Sequence, residues 1–384
     1  MDDPATPHPT SSETAGAEGS STVVTGAAPA EGSSTLAPVP APAERPHWRR
    51  RLWLARNRVV FLFLCAVAAY DVGVWVSGMA GHRRVVDTLF GVDPVWFAPA
   101  FGAQVAAYAA YALALQGTAR VDGGPRLGLR HAVLVVAAGF GAYFAKSAKG
   151  GFELDYRALR GAGARRQEAM ARVVGLGMLE YALLAPAALG AAMWIYASPH
   201  GNHYAALTLP WLAVVPGFLM AFWLTGEDRR ARLVALRHKG GRHEAVAHAV
   251  GGLHILRRLL LHPHRHVRAL LGTSAYWFCE IVCLWACLKA FHGHIGIPAM
   301  VLAYATGYVV SRRGLPLGGI GVAEAMLTFS LFWLGVPLPK ALLAVFAYRA
   351  FNFWLALLPA AALGSTVREI REQGATGTHQ RLAA

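Results

Sequence analysis

Hydrophobic residues along this chain come in long blocks rather than in the short alternation of strands or the one-sided stripe of surface helices. Blocks of roughly 20 residues occupy 59–78, 95–116, 131–148, 169–197, 204–225, 271–291, 297–312 and 338–364, the length that carries a helix across a hydrocarbon layer. Two further stretches, 149–166 and 314–335, are partly apolar but broken by glycine. They predict interrupted or re-entrant helices, which a membrane protein tolerates where protein or a wet cavity surrounds the freed backbone. The pattern therefore predicts an all-α polytopic membrane protein of about eight spans with two broken elements.

The charges between the blocks set its orientation. Arg45, Arg49, Arg50, Arg51, Arg56 and Arg58 precede the first block, interleaved with Trp48 and Trp53, and segment 227–268 carries ten basic residues against three acids. Loops 198–203 and 292–295 hold no Lys or Arg. Basic flanks stay on the cytoplasmic side, so both termini and segment 227–268 are expected inside. Eight spans satisfy this only if each broken element returns the chain to the side it came from, once from each face.

A repeat in the sequence points the same way. Gly163 is followed by Ala169 and a helix ending in Pro186, Ala187, Ala188, Leu189 and Gly190; Gly335 is followed at the same distance by Ala341 and a helix ending in Pro359 through Gly364. The pairs Gly150, Gly151 and Gly318, Gly319 lie upstream. Inverted repeats with broken helices build a central site that can open to either side.

Composition adds limits. The chain is 55% hydrophobic and 15% charged, with a net charge of +15; soluble domains carry about 25% charged residues. Residues 1–44 contain six acids, no Lys or Arg and almost no large apolar side chain, so they are expected to stay disordered. Five Lys against 31 Arg suggests a GC-rich bacterial genome and hence a bacterial cytoplasmic membrane. The arginines lie between apolar blocks, which fits topology and not nucleic acid. The expected organisation is a tail over 1–44, a membrane domain over 45–364 and a cytoplasmic tail over 365–384. Within the membrane domain, repeat one covers about 131–225, the basic loop 227–268 and repeat two about 271–364.

The run Leu315, Pro316, Leu317, Gly318, Gly319, Ile320, Gly321, Val322, Ala323, Glu324, continued by Leu334, Gly335, Val336, Ala341, Tyr348, Arg349 and Trp354, resembles the second half of the lysylphosphatidylglycerol synthase transmembrane (flippase-like) family. Region 139–190 is similar to its first half. Two departures stand out: the chain stops twenty residues after Gly364, without the soluble synthase domain, and 149–166 lacks a proline before its glycine pair. The resemblance implies a membrane body that moves or holds a lipid beside a partner enzyme, not one that makes the lipid.

A charge at bilayer depth costs at least about 2.5 kcal/mol, so each one asks for a role. Arg349 suits a headgroup phosphate, with Asn352 on the same helix; Glu324 and Glu180 suit a cationic or hydroxylated headgroup part, and Gly318, Gly319 and Gly321 supply backbone donors. Alternatively Glu324 and Arg349 pair and lock the repeats together. Glu280, Lys149, Asp155 and Arg157 are further cavity charges that could equally sit at helix ends or snorkel.

No catalytic motif is recognisable. The glycine group follows no strand, His243 and His248 are spaced by five, too far around a helix for a zinc pair, and no Asp-rich magnesium site is present. No cofactor or metal is expected. The expected partner is a membrane phospholipid or lipid-linked substrate that the chain binds or translocates; the alternatives are a scaffold for a cytosolic lipid-modifying enzyme on 227–268 and a lipid-carrier transferase. An oligomer stays open.

Overall fold

The computed structural model describes residues 73–146, 149–199, 201–224, 242–311 and 321–354, with isolated positions 67, 70, 226 and 358. Residues 1–44, Asp71, Pro316, Gly318 and Gly319 lie outside them. Every regular element among the described residues is a helix. After a helical stretch at 73–80 come α1 (His82–Phe90), α2 (Phe97–Ala119), α3 (Leu129–Lys146), α4 (Lys149–Gly161) and α5 (Arg166–Tyr196). They are followed by α6 (Val214–Leu224), α7 (Arg242–Leu261), α8 (Val267–Ala290), α9 (Ile297–Ser311), α10 (Val322–Trp333) and α11 (Leu338–Arg349), the last continued by a π-helical turn, Ala350–Trp354.

Segments Pro94–Ala119, Arg166–Tyr196, Gly201–Ala221 and Val267–Ala290 are long and apolar enough to cross a membrane. The outward faces match that solvent: Trp194 is 74% exposed and Leu219 67%, whereas Glu180 is 1% exposed and Glu280 0%. Apolar outside and charged inside reverses the arrangement of a water-soluble domain. The chain is a multi-pass membrane protein.

α2 and α8 form the central antiparallel pair. A Cβ at Gly272 would come within 2.5 Å of Ala114 N, and one at Gly117 would overlap the backbone of Ala269. These small residues let the two backbones touch, the device by which membrane helices associate without a hydrophobic driving force. At the other end of the pair, Asp93 N donates to Ala290 O at 2.8 Å.

On this pair sit two helical hairpins. α3 and α4 pack together, and the start of α3 and the end of α4 share one mouth beside the end of α2. α9 and α10 pack likewise, Gly307 against Leu327, with their mouth at the opposite end. α10 has 12 residues, about 18 Å, well short of a ~30 Å hydrocarbon core.

The repeat is visible in the backbone. Gly163 and Gly335 both have φ +99, a conformation open to glycine without a Cβ penalty. Each closes the same end structure: Ala164 N donates to Leu159 O and Val336 N to Leu331 O, both at 3.0 Å. Six residues after each glycine, Ala169 N donates to Arg165 O and Ala341 N to Pro337 O. The offset from Gly163 to Gly335 also relates Glu180 to Asn352. The hairpin starts match as well, Ala132 N to Gly128 O and Met300 N to Gly296 O, both 2.9 Å. The correspondence therefore reaches upstream to α2 and α8. The offset grows by one between Asn352 and Pro359, whose counterpart is Pro186, as the extra residue of the π turn in between demands.

Two elements escape hydropathy. α1 has no buried residue and lies beside α11. α7, inside the basic segment, packs on α5 through Gly252 and Gly175 and holds Asp122 in the α2–α3 loop through His254 at 3.8 Å and Arg258 at 3.7 Å.

Candidate functional site

Of the four buried carboxylates among the described residues, three organise the interior, one on each of α5, α8 and α10. Glu280, on α8, is fully buried. Its Oε1 accepts from Gln104 Nε2 at 3.0 Å and from Asn352 Nδ2 at 2.9 Å, and its Oε2 from Asn352 Nδ2 at 2.8 Å and Tyr348 OH at 2.5 Å. Tyr304 OH adds a longer contact at 3.5 Å. These donors come from α2, α9, α11 and the π turn, so one side chain ties four elements to α8. A buried carboxylate is tolerated only with such hydrogen bonds.

Glu180, on α5, accepts from Tyr111 OH and Tyr308 OH, both at 2.9 Å. Trp277 Nε1 donates to its backbone carbonyl at 2.9 Å, and Tyr108 OH to the Asn352 carbonyl at 3.2 Å. The offset from Tyr108 to Trp277 is the offset from Tyr111 to Glu280. Hence Tyr111 on Glu180 and Glu280 on Asn352 are the same contact made once in each repeat, with donor and acceptor exchanged. Trp277 packs edge-on against Tyr304 and Tyr308, which stack at 6.0 Å on one face of α9. The midplane between the repeats is thus occupied by an aromatic and carboxylate network.

Glu324 and Arg349 form a separate pair. Arg349 Nε donates to Glu324 Oε1 at 2.6 Å, and Gly321 N to Glu324 Oε2 at 2.6 Å. The carboxylate therefore caps α10 and neutralises one edge of the guanidinium. Arg349 lies over the Phe353 ring at 5.1 Å, and its Nη2 is buried with no hydrogen-bond partner among the described residues. Adjacent residues of α11 serve different networks, Tyr348 reaching Glu280 and Arg349 reaching Glu324.

The sequence candidates therefore divide. Glu324, Arg349 and Gly321 meet, although the Gly321 N–H is engaged by Glu324. Asn352 belongs with Glu280, and Glu180 stands across the pseudo-twofold from them. The Glu324–Arg349 pair lies wholly within the second repeat; hydrogen bonds of Trp277, Tyr308, Tyr108 and Gln104 are among those that join the repeats. In α4, Asp155 is buried and Arg157 is bonded to Glu153, while Lys149 opens the helix. The tyrosines and Gln104 were not singled out by sequence. Their signal was a hydroxyl or amide inside an apolar block, where a polar group needs a partner.

Crossed long helices, hairpins inserted from opposite faces and a charged interior define an inverted-repeat helical membrane protein. Residues 60–360 match the lysylphosphatidylglycerol synthase TM region, and the chain belongs to that family. It is accordingly a lipid-related membrane protein, matched over its membrane region. No curated relative matches the chain.

Proposed function

We propose that the chain binds a phosphate-headed lipid and carries its headgroup through the membrane interior, the two repeats rocking against each other about the α2–α8 pair. The observation that carries this reading is the half-buried Arg349: one edge is neutralised by Glu324, and Nη2 is a charged donor with no acceptor among the described residues. Phosphate is the acceptor that guanidinium geometry suits. The position, on the last turn of α11 against the start of α10, is where a headgroup would meet the tip of a re-entrant hairpin. The arginine-rich end, with Arg120, Arg126, Arg258, Arg265 and Arg268, is read as cytoplasmic, which puts both termini inside.

The test is lipid exchange in reconstituted vesicles with fluorescent phospholipids. Arg349→Ala is expected to cut the headgroup-dependent rate about tenfold or more, the worth of a charge-assisted pair, while the detergent-solubilised protein stays folded. An unchanged rate rejects the role of Arg349. A scaffold is the second reading, favoured by α7, whose glycine contacts fix a basic surface on α5. Deleting 227–241 and replacing Arg257 and Arg258 of α7 by Gln separates the two, because a scaffold would lose its enzyme and keep lipid exchange.

A further inference from the structure

The α3–α4 hairpin opens at the arginine-rich end onto a cleft of about 200 Å³. One wall is the loop into α3, with Arg126 and Gly128, followed by His131 on the helix; the other is the last turns of α4, with Arg157 and Gly161. Both walls are fixed. Buried Gln116 donates to the Leu127 carbonyl at 2.7 Å, and Leu127 is itself buried. At the end of α4, Arg160 donates to Ala164 O at 2.8 Å. Two guanidinium groups and an imidazole thus line a cleft held from two sides. The first N–H groups of the 18-residue α3, which lack intrahelical acceptors, lie at the same mouth. Arg157 is bonded to Glu153 one turn earlier on α4.

The inverted repeat shows that the fold does not require these cations. Carried across by the offsets above, Arg126 corresponds to His294, His131 to Ala299, Arg157 to Phe329 and Gly161 to Trp333. The same backbone is built at the opposite mouth with one histidine and three apolar residues at these positions, and Trp333 is 54% exposed there. Topology accounts for arginines on this face, but it does not require two guanidinium groups and an imidazole to converge on one cleft.

We propose that the cleft is a phosphate-binding site on the arginine-rich face, distinct from Arg349 and independent of whether lipid crosses the membrane. Its volume lies below the roughly 300–1,000 Å³ of whole-ligand pockets, so it takes a phosphate group with a small part of its ester. The phosphate can belong to a lipid headgroup or to a soluble ester. Arg126 and Arg157 hold its oxygens, and His131 adds a donor.

The test measures binding of dioctanoyl phosphatidylglycerol and of inorganic phosphate to the full chain in neutral detergent. Arg126→Gln is expected to weaken binding about tenfold. Arg130→Gln, an exposed arginine on the first turn of α3 outside the cleft, should change it less than twofold. Tighter binding of the lipid than of phosphate assigns the headgroup; equal binding assigns a soluble ester. The proposal is overturned if both probes bind Arg126→Gln like the wild type, or if Arg130→Gln loses as much as Arg126→Gln.

Discussion

Glu280 illustrates how a single side chain can organise a membrane interior. Removing its carboxylate strands Asn352, Tyr348 and Gln104 donors where no water competes for them, and each stranded buried donor costs about 1–3 kcal/mol. Glu280→Ala is therefore expected to destabilise the fold by at least about 2 kcal/mol. Glu280→Gln, which keeps one acceptor oxygen, should lose less. Unfolding in graded denaturing detergent checks the order, and equal losses would contradict it. Sequence alone marked Glu280 only as a buried charge, because its donors lie on helices far apart in the chain and nothing local announces their convergence.

A second residue-scale consequence concerns His266, at the junction of α7 and α8. Burial pushes its imidazole below the usual range, opposed by Asp122 and reinforced by His262, Arg265 and His264. A base whose folded pKa is depressed contributes stability at pH values above its ordinary 6.5, and that contribution is lost as pH falls through the depressed range. Thermal unfolding between pH 8 and pH 5 should show the wild type losing more than His266→Gln on the acid side. Parallel curves would remove His266 as the cause.

At the scale of elements, glycines set both the turns and the contacts. Gly335 has φ +99 with open space around its Cβ position, so Gly335→Ala meets backbone strain alone, about 1–2 kcal/mol. Gly272 has ordinary backbone but no room beside Ala114 and Ala110. Gly272→Val is expected to separate α2 from α8 and to cost more than Gly335→Ala in the same unfolding assay; the reverse order would mean that the pair is not packed through Gly272. The turn glycines and the alanines after them were legible because the chain states them twice. The π turn at Ala350–Trp354 left only an offset larger by one, and α1 and α7 left no hydropathy signal because neither has a wholly apolar sequence.

For the whole molecule, the block pattern was enough to read an all-helical membrane body, since span length is a property of sequence. How the polar residues partner was not readable: Asn352 sits three positions after Arg349 yet serves the other network. The account rests on two repeats inserted upside down, with matching hairpin mouths on opposite faces. Gly128 and Gly296 are equivalent, exposed, and without crowding at a Cβ. Cysteine placed at each, in a background lacking the four native cysteines, can be probed with a membrane-impermeant maleimide in sealed, oriented vesicles. Labelling of one position from outside and of the other only after the vesicles are opened is the predicted result; labelling of both from the same side would contradict the inverted arrangement and the pathway built on it.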